Sequence, residues 1–488
     1  MSDPTATPSD SKRVIPIQPV AVREEMVSLY QKGEKIYARE VKGWFTRWRW
    51  VFVWLTQLFF YGVPWLMWND RQAMLFDLGT RRFYLFNLVL YPQDFIYLTA
   101  LLVISAYGLF LFTAVAGRLW CGYACPQSVY TEMFMWIERK IEGDRTRRMK
   151  LDKGPWTLEK VWRKTAKQVA WIVLALWTGY TFVGYFTPIR ELALEVVTLS
   201  MGPWEIFWVL FYGFATYGNA GYMREQVCKY MCPYARFQSA MFDRDTLIIS
   251  YDTKRGEPRG SRKRGADAQA LGQGDCIDCT LCVQVCPTGI DIRKGLQSEC
   301  IGCAACIDVC DSVMDKVGSP RGLIRYATEN SMEQGWGRRE MWARVTRPRV
   351  LIYSGILVAV VIAFIASLYS RPPFRVDILR DRGALARVVD EGYVENVYRV
   401  QIMNASEAPQ RYRIGVEQLT QPKVDGGQDL LLGPAEARWV PVAVRIPPEV
   451  AGRMGSGAYG ITILVEQLRQ GDAPQVDVRE KTTFMVPR

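Results

Sequence analysis

The sequence predicts a multi-domain membrane protein with three parts: a five-helix transmembrane α bundle, an inserted α+β domain and a C-terminal all-β sandwich. Three observations in the 488 residues support this architecture. Five apolar stretches approach the roughly 20 residues that a membrane helix needs. Two copies of one cysteine spacing stand between the fourth and fifth stretches. Beyond the fifth stretch, apolar and polar residues alternate with the period of two that half-buried strands show.

The five apolar stretches predict five membrane-spanning helices. A soluble core could produce one or two such runs, but five indicate a membrane protein. We expect residues 1–43 to form a basic cytoplasmic N-terminus whose first part, Met1 to Pro19, is disordered. This part has no apolar core and does not resemble a signal peptide. The stretches lie at Trp50–Trp68, Phe95–Gly117, Gln168–Thr187, Trp204–Tyr222 and Val350–Tyr369.

The distribution of Lys and Arg predicts the orientation of the helices. Residues 118–166, between the second and third stretches, are heavily basic, whereas the next connection carries only Arg190. Basic connections stay in the cytoplasm. The N-terminus, this segment and the inserted domain are therefore expected in the cytoplasm. The C-terminal domain is expected in the periplasm, with the helices in the inner membrane of a Gram-negative bacterium. The net charge of +12 then reflects orientation rather than contact with nucleic acid.

The inserted domain, predicted at 275–335, contains two C-x2-C-x2-C-x3-C runs, the spacing of a bacterial two-cluster ferredoxin. Three cysteines of such a run bind one 4Fe-4S cluster, and the fourth reaches the other cluster. Two structural zinc sites are the alternative, but zinc sites usually pair two C-x2-C units across a longer loop. The predicted ligand sets are Cys276, Cys279, Cys282 and Cys310 for one cluster, and Cys300, Cys303, Cys306 and Cys286 for the other.

One departure separates the two runs, because Pro287 follows Cys286 whereas Asp311 follows Cys310, where proline is usual. The potentials of the two clusters could therefore differ. The polar, basic and glycine-rich residues 252–274 ahead of the domain are interpreted as a linker. The chain has 12 cysteines and no histidine, so His-ligated haem, His-type zinc or copper sites and Rieske centres are excluded.

The four remaining cysteines form two C-x3-C-P motifs, one after the second apolar stretch and one after the fourth. Pro126 and Pro233 each suit the first turn of a helix. A thiol at a helix N-terminus has a lowered pKa, and we expect Arg118 and Lys229 to lower it further. The candidate catalytic and metal-binding residues are Cys121, Cys125, Cys228 and Cys232.

Soft sulfur ligands without imidazole favour Cu(I) over Cu(II), and this preference makes reduction of bound copper more favourable. Met223 or Met231 could add a thioether ligand. Three alternatives remain open for the four thiols: a structural zinc site, another iron–sulfur cluster, and packing or transient disulfides. Gln57 lies within an apolar run and could contact a quinone, although a helix–helix hydrogen bond is the simpler interpretation.

Residues 371–488 are predicted to form a small β-sandwich. Alternation around Tyr398–Ile402, Tyr412–Val416, Val442–Ile446 and Ile461–Val465 supports this, with Gly- and Pro-rich turns between the runs. The segment has no cysteine and no histidine. It is interpreted as a docking or stabilising module.

Nearly the whole chain resembles the FixG/RdxA family of cytochrome c oxidase accessory proteins, also called CcoG. The resemblance rests on the two C-x3-C-P motifs, the doubled ferredoxin pattern, the run from Ile137 to Arg145 and the run from Phe242 to Leu247. It implies five helices, an immunoglobulin-like C-terminal domain, and the eight cluster cysteines and four C-x3-C-P cysteines as functional residues. It also implies reduction of Cu(II) to Cu(I) for assembly of a cbb(3)-type oxidase.

These inferences predict a membrane-anchored cupric reductase with two 4Fe-4S clusters as cofactors and copper as substrate or transient ligand. The expected partners are membrane lipid, an unidentified cytoplasmic electron donor, and copper-delivery and oxidase assembly proteins. A homodimer is left open, and nucleic acid is not expected. Two alternatives are a quinol-linked electron-transfer subunit and a non-enzymatic copper chaperone or assembly scaffold. The membrane helices argue against an iron–sulfur transcriptional regulator.

Overall fold

The structure is a computed structural model that describes residues 35–262, 270–381, 383, 386–468 and 476–487. The chain divides into two units, residues 1–36 and Tyr37–Arg488, and the description below concerns the second. The segment predicted to be disordered lies outside the described residues. So do positions 263–269 of the predicted linker.

Helices make up the first two-thirds of this unit. Short 3-10 and π turns extend several of them, at Val63–Trp65, Pro92–Asp94, Tyr217–Met223, Val227–Met231, Ile292–Lys294, Arg344–Thr346 and Asp390–Gly392. The helices are α1 Trp44–Gly62, α2 Phe95–Ala116, α3 Leu119–Tyr123, α4 Pro126–Glu142, α5 Arg145–Lys153, α6 Leu158–Val183, α7 Ile189–Thr198, α8 Pro203–Thr216, α9 Pro233–Met241, α10 Thr253–Gly256, α11 Leu281–Gln284, α12 Ala305–Val317, α13 Glu329–Gln334, α14 Arg338–Ala343, α15 Pro348–Tyr369 and α16 Pro448–Met454.

All five apolar stretches coincide with long helices, but not all are apolar enough to count as spans. Two helices, Pro92–Ala116 and Pro348–Tyr369, are long and apolar enough to cross a membrane. A third span results if α7 and the segment Pro203–Met223, bent by 99° to each other, count as one. The predicted count of five is therefore supported in part. The first helix also ends at Gly62 rather than Trp68, where the chain turns into a short strand.

Sixteen strands form within the described residues, and most belong to the C-terminal domain. They are β1 Met67–Trp68, β2 Arg71–Gln72, β3 Met74–Asp77, β4 Arg82–Leu85, β5 Leu88–Leu90, β6 Ile248–Tyr251, β7 Ile324–Ala327, β8 Phe374–Arg380, β9 Arg387–Val388, β10 Val394–Asn404, β11 Gln410–Glu417, β12 Lys423–Asp425, β13 Leu430–Leu432, β14 Ala437–Ile446, β15 Gly457–Leu468 and β16 Asp477–Val486.

The C-terminal domain is a sandwich of two antiparallel sheets, as the alternation predicts. One sheet has the order β12-β14-β10-β8, with β9 beside β10, and the other has the order β13-β11-β15-β16. Side chains that alternate inward from both sheets form one core, in which Tyr398, Tyr412 and Phe484 are fully buried. Hydrogen-bonded partners such as Val400 and Val440 fix the register.

The small sheet β3-β4-β5 between α1 and α2 packs against the C-terminal domain. Val89 and Tyr91 share a buried cluster with Met403 and Ala435. The Tyr91 hydroxyl donates a hydrogen bond of 2.9 Å to the carbonyl of Asn404. Both segments therefore lie at the same end of the helix bundle.

A buried ion-pair cluster, here called the Asp94 clamp, strengthens this packing. Asp94 is fully buried at the start of α2 and pairs with Arg371 at 2.5 Å and Arg375 at 2.7 Å. Arg371 follows α15, and Arg375 lies on the first sandwich strand. The clamp thus joins the two most apolar helices to the C-terminal domain.

The α+β domain lies at the other end of the bundle. Strands β6 and β7 pair antiparallel, with Ile248 opposite Ala327, and enclose the cysteine loops, α11 and α12. Strand β6 precedes residue 252, so the domain also uses residues ahead of the predicted linker. Asp308 of α12 accepts hydrogen bonds from the backbone N–H groups of Phe45 and Thr46, at 3.2 and 2.8 Å. These N–H groups belong to the first turn of α1, which otherwise lacks a capping side chain, so Asp308 docks the domain onto that helix.

Buried charges form a cluster among α4, α5 and α6. Glu138 of α4 pairs with Arg148 of α5 and with Arg224, both at 3.0 Å. Glu142 pairs with Lys164 and Lys167 of α6, both at 2.9 Å. Opposite charges at hydrogen-bonding distance make the burial of these carboxylates tolerable. The run from Ile137 to Arg145 that carries part of the family resemblance therefore connects α4, α5 and α6.

Candidate functional site

The two cysteine loops of the α+β domain have the same backbone conformation. Asp278 and Gly302, each one residue before the second cysteine of its loop, have φ of +52° and +69°. Thr280 and Ala304, each one residue after it, have φ of +56° and +60°. A left-handed conformation is uncommon for residues other than glycine. Its repetition at matching positions shows that the two loops are structural copies.

Each loop groups its cysteines around a cavity. The first cavity is lined by Cys276, Cys279, Cys282 and Cys310, and the second by Cys286, Cys300, Cys303 and Cys306. Cys282 also touches the second cavity. Apolar residues, including Val313, Leu323 and Ile324, line the rest of the first cavity.

These groups match the two ligand sets that the spacing predicts, and the ligand assignment itself stays a prediction. The residues fit 4Fe-4S clusters, because sulfur ligands on an otherwise apolar wall are the donor set that these clusters use. Among the residues that the structure describes, no three His, Cys, Asp or Glu side chains lie close enough to hold a single metal ion.

Helix lengths explain why proline follows Cys286 but not Cys310. Helix α11 ends at Gln284, so Pro287 lies outside it. Helix α12 continues to Val317, and a proline at position 311 would break its interior. Asp311 instead accepts a hydrogen bond of 2.9 Å from the N–H of Gly322. The departure therefore has a structural cause.

The two C-x3-C-P motifs come together in space. Both predicted helix starts are confirmed, since α4 begins at Pro126 and α9 at Pro233. Cys121 lies within electrostatic range of Cys125 and Cys228, and Cys125 within range of Cys232. We call these four cysteines the thiol cluster.

The thiol cluster touches the second cysteine loop of the α+β domain. A Cβ atom added to Gly122 would lie 2.8 Å from the carbonyl oxygen of Gly302 and 2.9 Å from the Cα of Cys303. Cys121 and Cys228 also pack against the core of that domain. Only two glycines allow backbones to approach so closely.

Arg118 connects the same parts through its guanidinium. It donates to the carbonyl of Cys300 at 3.2 Å, to that of Ala235 at 2.7 Å, and to that of Ser298. One side chain thus holds the second cysteine loop, the first motif and α9 in place. Cys121 in turn donates to Oε1 of Gln238, a fully buried residue of α9, at 3.4 Å.

The expectation of lowered thiol pKa values is wrong for three of the four residues. Burial raises the pKa of Cys121 to about 12 and that of Cys228 to about 11, and it also raises the pKa of Cys125. The neighbouring thiols contribute to these increases, since they would repel one another as thiolates. Arg118 lowers the pKa of Cys121 and Cys228, but by less than burial raises it.

Sequence reasoning identified the twelve cysteines but missed the residues that join the two groups. No spacing signals Gln238 or the Gly122–Gly302 contact, because both depend on tertiary packing. The proposed thioether ligands gain no support, since Met223 and Met231 are 37% and 55% exposed, whereas the thiols are more buried.

Comparison with known families agrees with this description. A model of a 4Fe-4S dicluster domain matches residues 223–329, and a model of a 4Fe-4S binding domain matches residues 98–143. A third model, the IG-like fold at the C-terminal of FixG, matches residues 364–487. Fold and site together define an iron–sulfur oxidoreductase with helices that could span a membrane.

Similar proteins place the chain in one family. Nitrogen fixation protein FixG of Rhizobium meliloti is 38% identical over 407 residues, which are 77% of this chain and 78% of that protein. Protein RdxB and protein RdxA of Cereibacter sphaeroides are 41% and 39% identical and cover 80% and 82% of this chain. The alignments include 83% of RdxB and 87% of RdxA. The chain belongs to the FixG/RdxA family.

Proposed function

We propose that this protein reduces Cu(II) to Cu(I) at the thiol cluster for assembly of a cbb(3)-type cytochrome c oxidase. The contact between Gly122 and Gly302 carries the proposal, because it joins the thiol cluster to the second cysteine loop without an intervening side chain. When bound by the eight loop cysteines, 4Fe-4S clusters supply single electrons.

The chemistry of the thiol cluster favours the reduced metal. Thiolate ligands select Cu(I), while Cu(II) prefers nitrogen and oxygen donors, and the chain contains no histidine. Conversion of Cu(II) to Cu(I) takes up one electron and leaves the oxidation state of the cysteine sulfur atoms unchanged. Burial keeps Cys121, Cys125 and Cys228 protonated until a cation displaces the protons, so these thiols are weak nucleophiles in the metal-free cluster.

The remaining parts of the proposal concern location and partners. We place the protein in the bacterial inner membrane, with the α+β domain and the thiol cluster in the cytoplasm and the sandwich in the periplasm. The partners are a cytoplasmic or membrane electron donor, a copper-delivery protein and an oxidase assembly protein. A homodimer is compatible with this arrangement.

Anaerobic Cu(II) reduction by the purified, cluster-loaded protein tests the proposal. The clusters are first reduced with dithionite and excess reductant is removed, and a Cu(I)-specific chelator then reports the product. We expect Cys121→Ser with Cys228→Ser to keep the visible absorbance of the clusters and to abolish Cu(I) formation. As a matched control, Met223→Leu with Met231→Leu should reduce copper at the wild-type rate. Unchanged reduction in the cysteine variant would refute the assigned role.

A second candidate function follows from the match between residues 98–143 and a 4Fe-4S binding domain, because this segment contains Cys121 and Cys125. In this candidate the thiol cluster holds a third 4Fe-4S cluster rather than copper. A third cluster would add four iron atoms per chain, and the Cys121→Ser, Cys228→Ser variant would lose them. Iron and sulfide analysis of the two proteins therefore separates the candidates.

A further inference from the structure

A large apolar cavity lies between α1, α4 and α6. Its volume is about 610 Å³, within the range of sites that bind small molecules. Most of the lining is aromatic or aliphatic, and the cavity runs beside α1 from Trp50 to Gly62. Its walls include Trp54, Leu58, Met133, Trp136 and Leu174.

One polar side chain in this wall has an unsatisfied acceptor. Gln57 is 8% exposed, and its Oε1 atom has no hydrogen-bond partner among the described residues. The Tyr130 hydroxyl lies near the Gln57 side chain. A buried acceptor left without a donor is destabilising. The geometry therefore calls for an occupant that donates a hydrogen bond.

A group of three hydroxyls lies beside this acceptor. The Tyr61 hydroxyl, which also belongs to the cavity wall, lies 2.9 Å from Thr178 Oγ1 and 3.5 Å from the Tyr130 hydroxyl. The cavity thus has apolar walls and one polar region, around Gln57 and Tyr61. A matching occupant has a large apolar body and one or two hydroxyl groups.

The cavity opens toward the exposed face of α1 and toward the α+β domain. Trp54 and Leu58 are 63% and 66% exposed. At the other end, Trp50 and Trp136 also line a polar cavity of about 140 Å³ that reaches Arg49 and Pro287.

This second opening brings the cavity near the second cysteine loop. Arg49 pairs with Glu132 at 2.6 Å and lies within electrostatic range of Cys303. A helix rises 1.5 Å per residue, so Gln57 is about 12 Å from Arg49 along α1. An occupant at Gln57 would thus lie in the bilayer and close to the cysteine loop at once.

We infer that this cavity binds an isoprenoid quinol, with one ring hydroxyl donating to Gln57 Oε1. An acyl chain of a phospholipid fills apolar volume but has no donor to offer. The inference rests on the proposed function and names the class of electron donor for it. Oxidation of one quinol to quinone releases two electrons and two protons, and two electrons reduce two Cu(II) to two Cu(I).

Photoaffinity labelling in lipid nanodiscs tests the inference without a copper assay. The probe is a ubiquinone analogue with a photoreactive azido group, and mass spectrometry locates the attachment. We expect saturable labelling on α1 and α4 peptides that excess unlabelled quinone prevents. Gln57→Leu should weaken this labelling about tenfold.

A second variant keeps the test independent of Gln57. Gly62 lines the cavity, and no atom lies within 4 Å of a Cβ added there, so Gly62→Leu fills the space without a backbone clash. We expect it to abolish labelling. Gly355→Leu is the matched control, because Gly355 of α15 has equally open surroundings and lies outside the cavity lining. It should label like the wild type.

Labelling elsewhere, or labelling that phospholipid displaces as well as quinone does, would overturn the inference. So would equal labelling of Gln57→Leu, Gly62→Leu and the wild type. Dithionite-driven Cu(II) reduction by the same variants reports separately on the proposed function. If the cavity variants reduce copper normally with dithionite but the wild type takes no quinone label, the inference fails and the copper function stands.

Discussion

Gly122 and Gly302 form the contact on which the site depends, and it leads to a prediction at the scale of single residues. Gly122→Ala places a methyl group 2.8 Å from a backbone oxygen that has little freedom to move. We expect a destabilisation of about 1–3 kcal/mol, the usual cost of overpacking. Loss of cluster absorbance on heating should therefore begin at a lower temperature. Gly108→Ala is the control, because a Cβ atom added there would lie 4.0 Å from its nearest neighbour, the Cδ2 atom of Leu357. This variant should unfold at the same temperature as the wild type.

The buried thiols predict a pH dependence of copper binding. The pKa of Cys121 is raised to about 12 and that of Cys228 to about 11, so both are protonated at neutral pH. Each thiol that becomes a ligand releases one proton, so the apparent Cu(I) affinity should rise about tenfold per pH unit for each such thiol. Competition with a Cu(I) chelator between about pH 6 and pH 8 measures this slope. A flat profile would mean that the thiols are already ionised or do not bind copper.

Individual residues show where sequence reasoning succeeds and where it fails. Cysteine spacing follows from local loop geometry, so the grouping around two cavities could be foreseen. The thiol pKa values could not, because they depend on how deeply α3 and the turn Val227–Met231 are covered by the α+β domain. Arg118 favours the thiolate of Cys121, but burial raises the pKa of this thiol by more than the arginine lowers it.

Among the helices and sheets, the Asp94 clamp ties α2 and α15 to the sandwich. Asp94→Asn removes the negative charge that both arginines share. The buried Arg371 then keeps the carbonyl of Val89 as an acceptor but loses its counter-charge. Breaking a buried pair in this way costs about 3–5 kcal/mol. We expect faster proteolysis of the C-terminal domain and a lower unfolding temperature. Glu466→Gln, which affects a more exposed pair with Arg413, should cost no more than about 1 kcal/mol.

The helices and strands themselves were largely predictable. Apolar stretches of about 20 residues become helices because a membrane leaves no other partner for the backbone. The alternation of apolar and polar residues likewise predicts four strands of the sandwich. Strand β1 contradicts the expectation that the first apolar stretch remains helical up to Trp68. The small sheet β3-β4-β5 lies in the connection after that stretch, for which the sequence pattern makes no prediction. The bend of 99° before α8 was missed as well, since hydropathy does not report direction.

For the whole molecule, the central prediction is orientation. Gly452 of the sandwich and Lys316 of the α+β domain are both exposed and suit single cysteine reporters. A membrane-impermeant maleimide applied to intact spheroplasts should label Gly452→Cys and leave Lys316→Cys unlabelled. After the membrane is opened, both should react. Labelling of Lys316→Cys in intact spheroplasts would reverse the proposed topology.

Helix α2 has both of its ends fixed. Asp94 at its start is clamped to the sandwich, while Thr113 near its end contacts Tyr234 of α9, which begins beside the thiol cluster. An α-helix of this length resists bending, so a displacement at one end of α2 moves its other end as well. A load on the sandwich, such as the pull of a docked protein, would be transmitted to the cysteines at the opposite end.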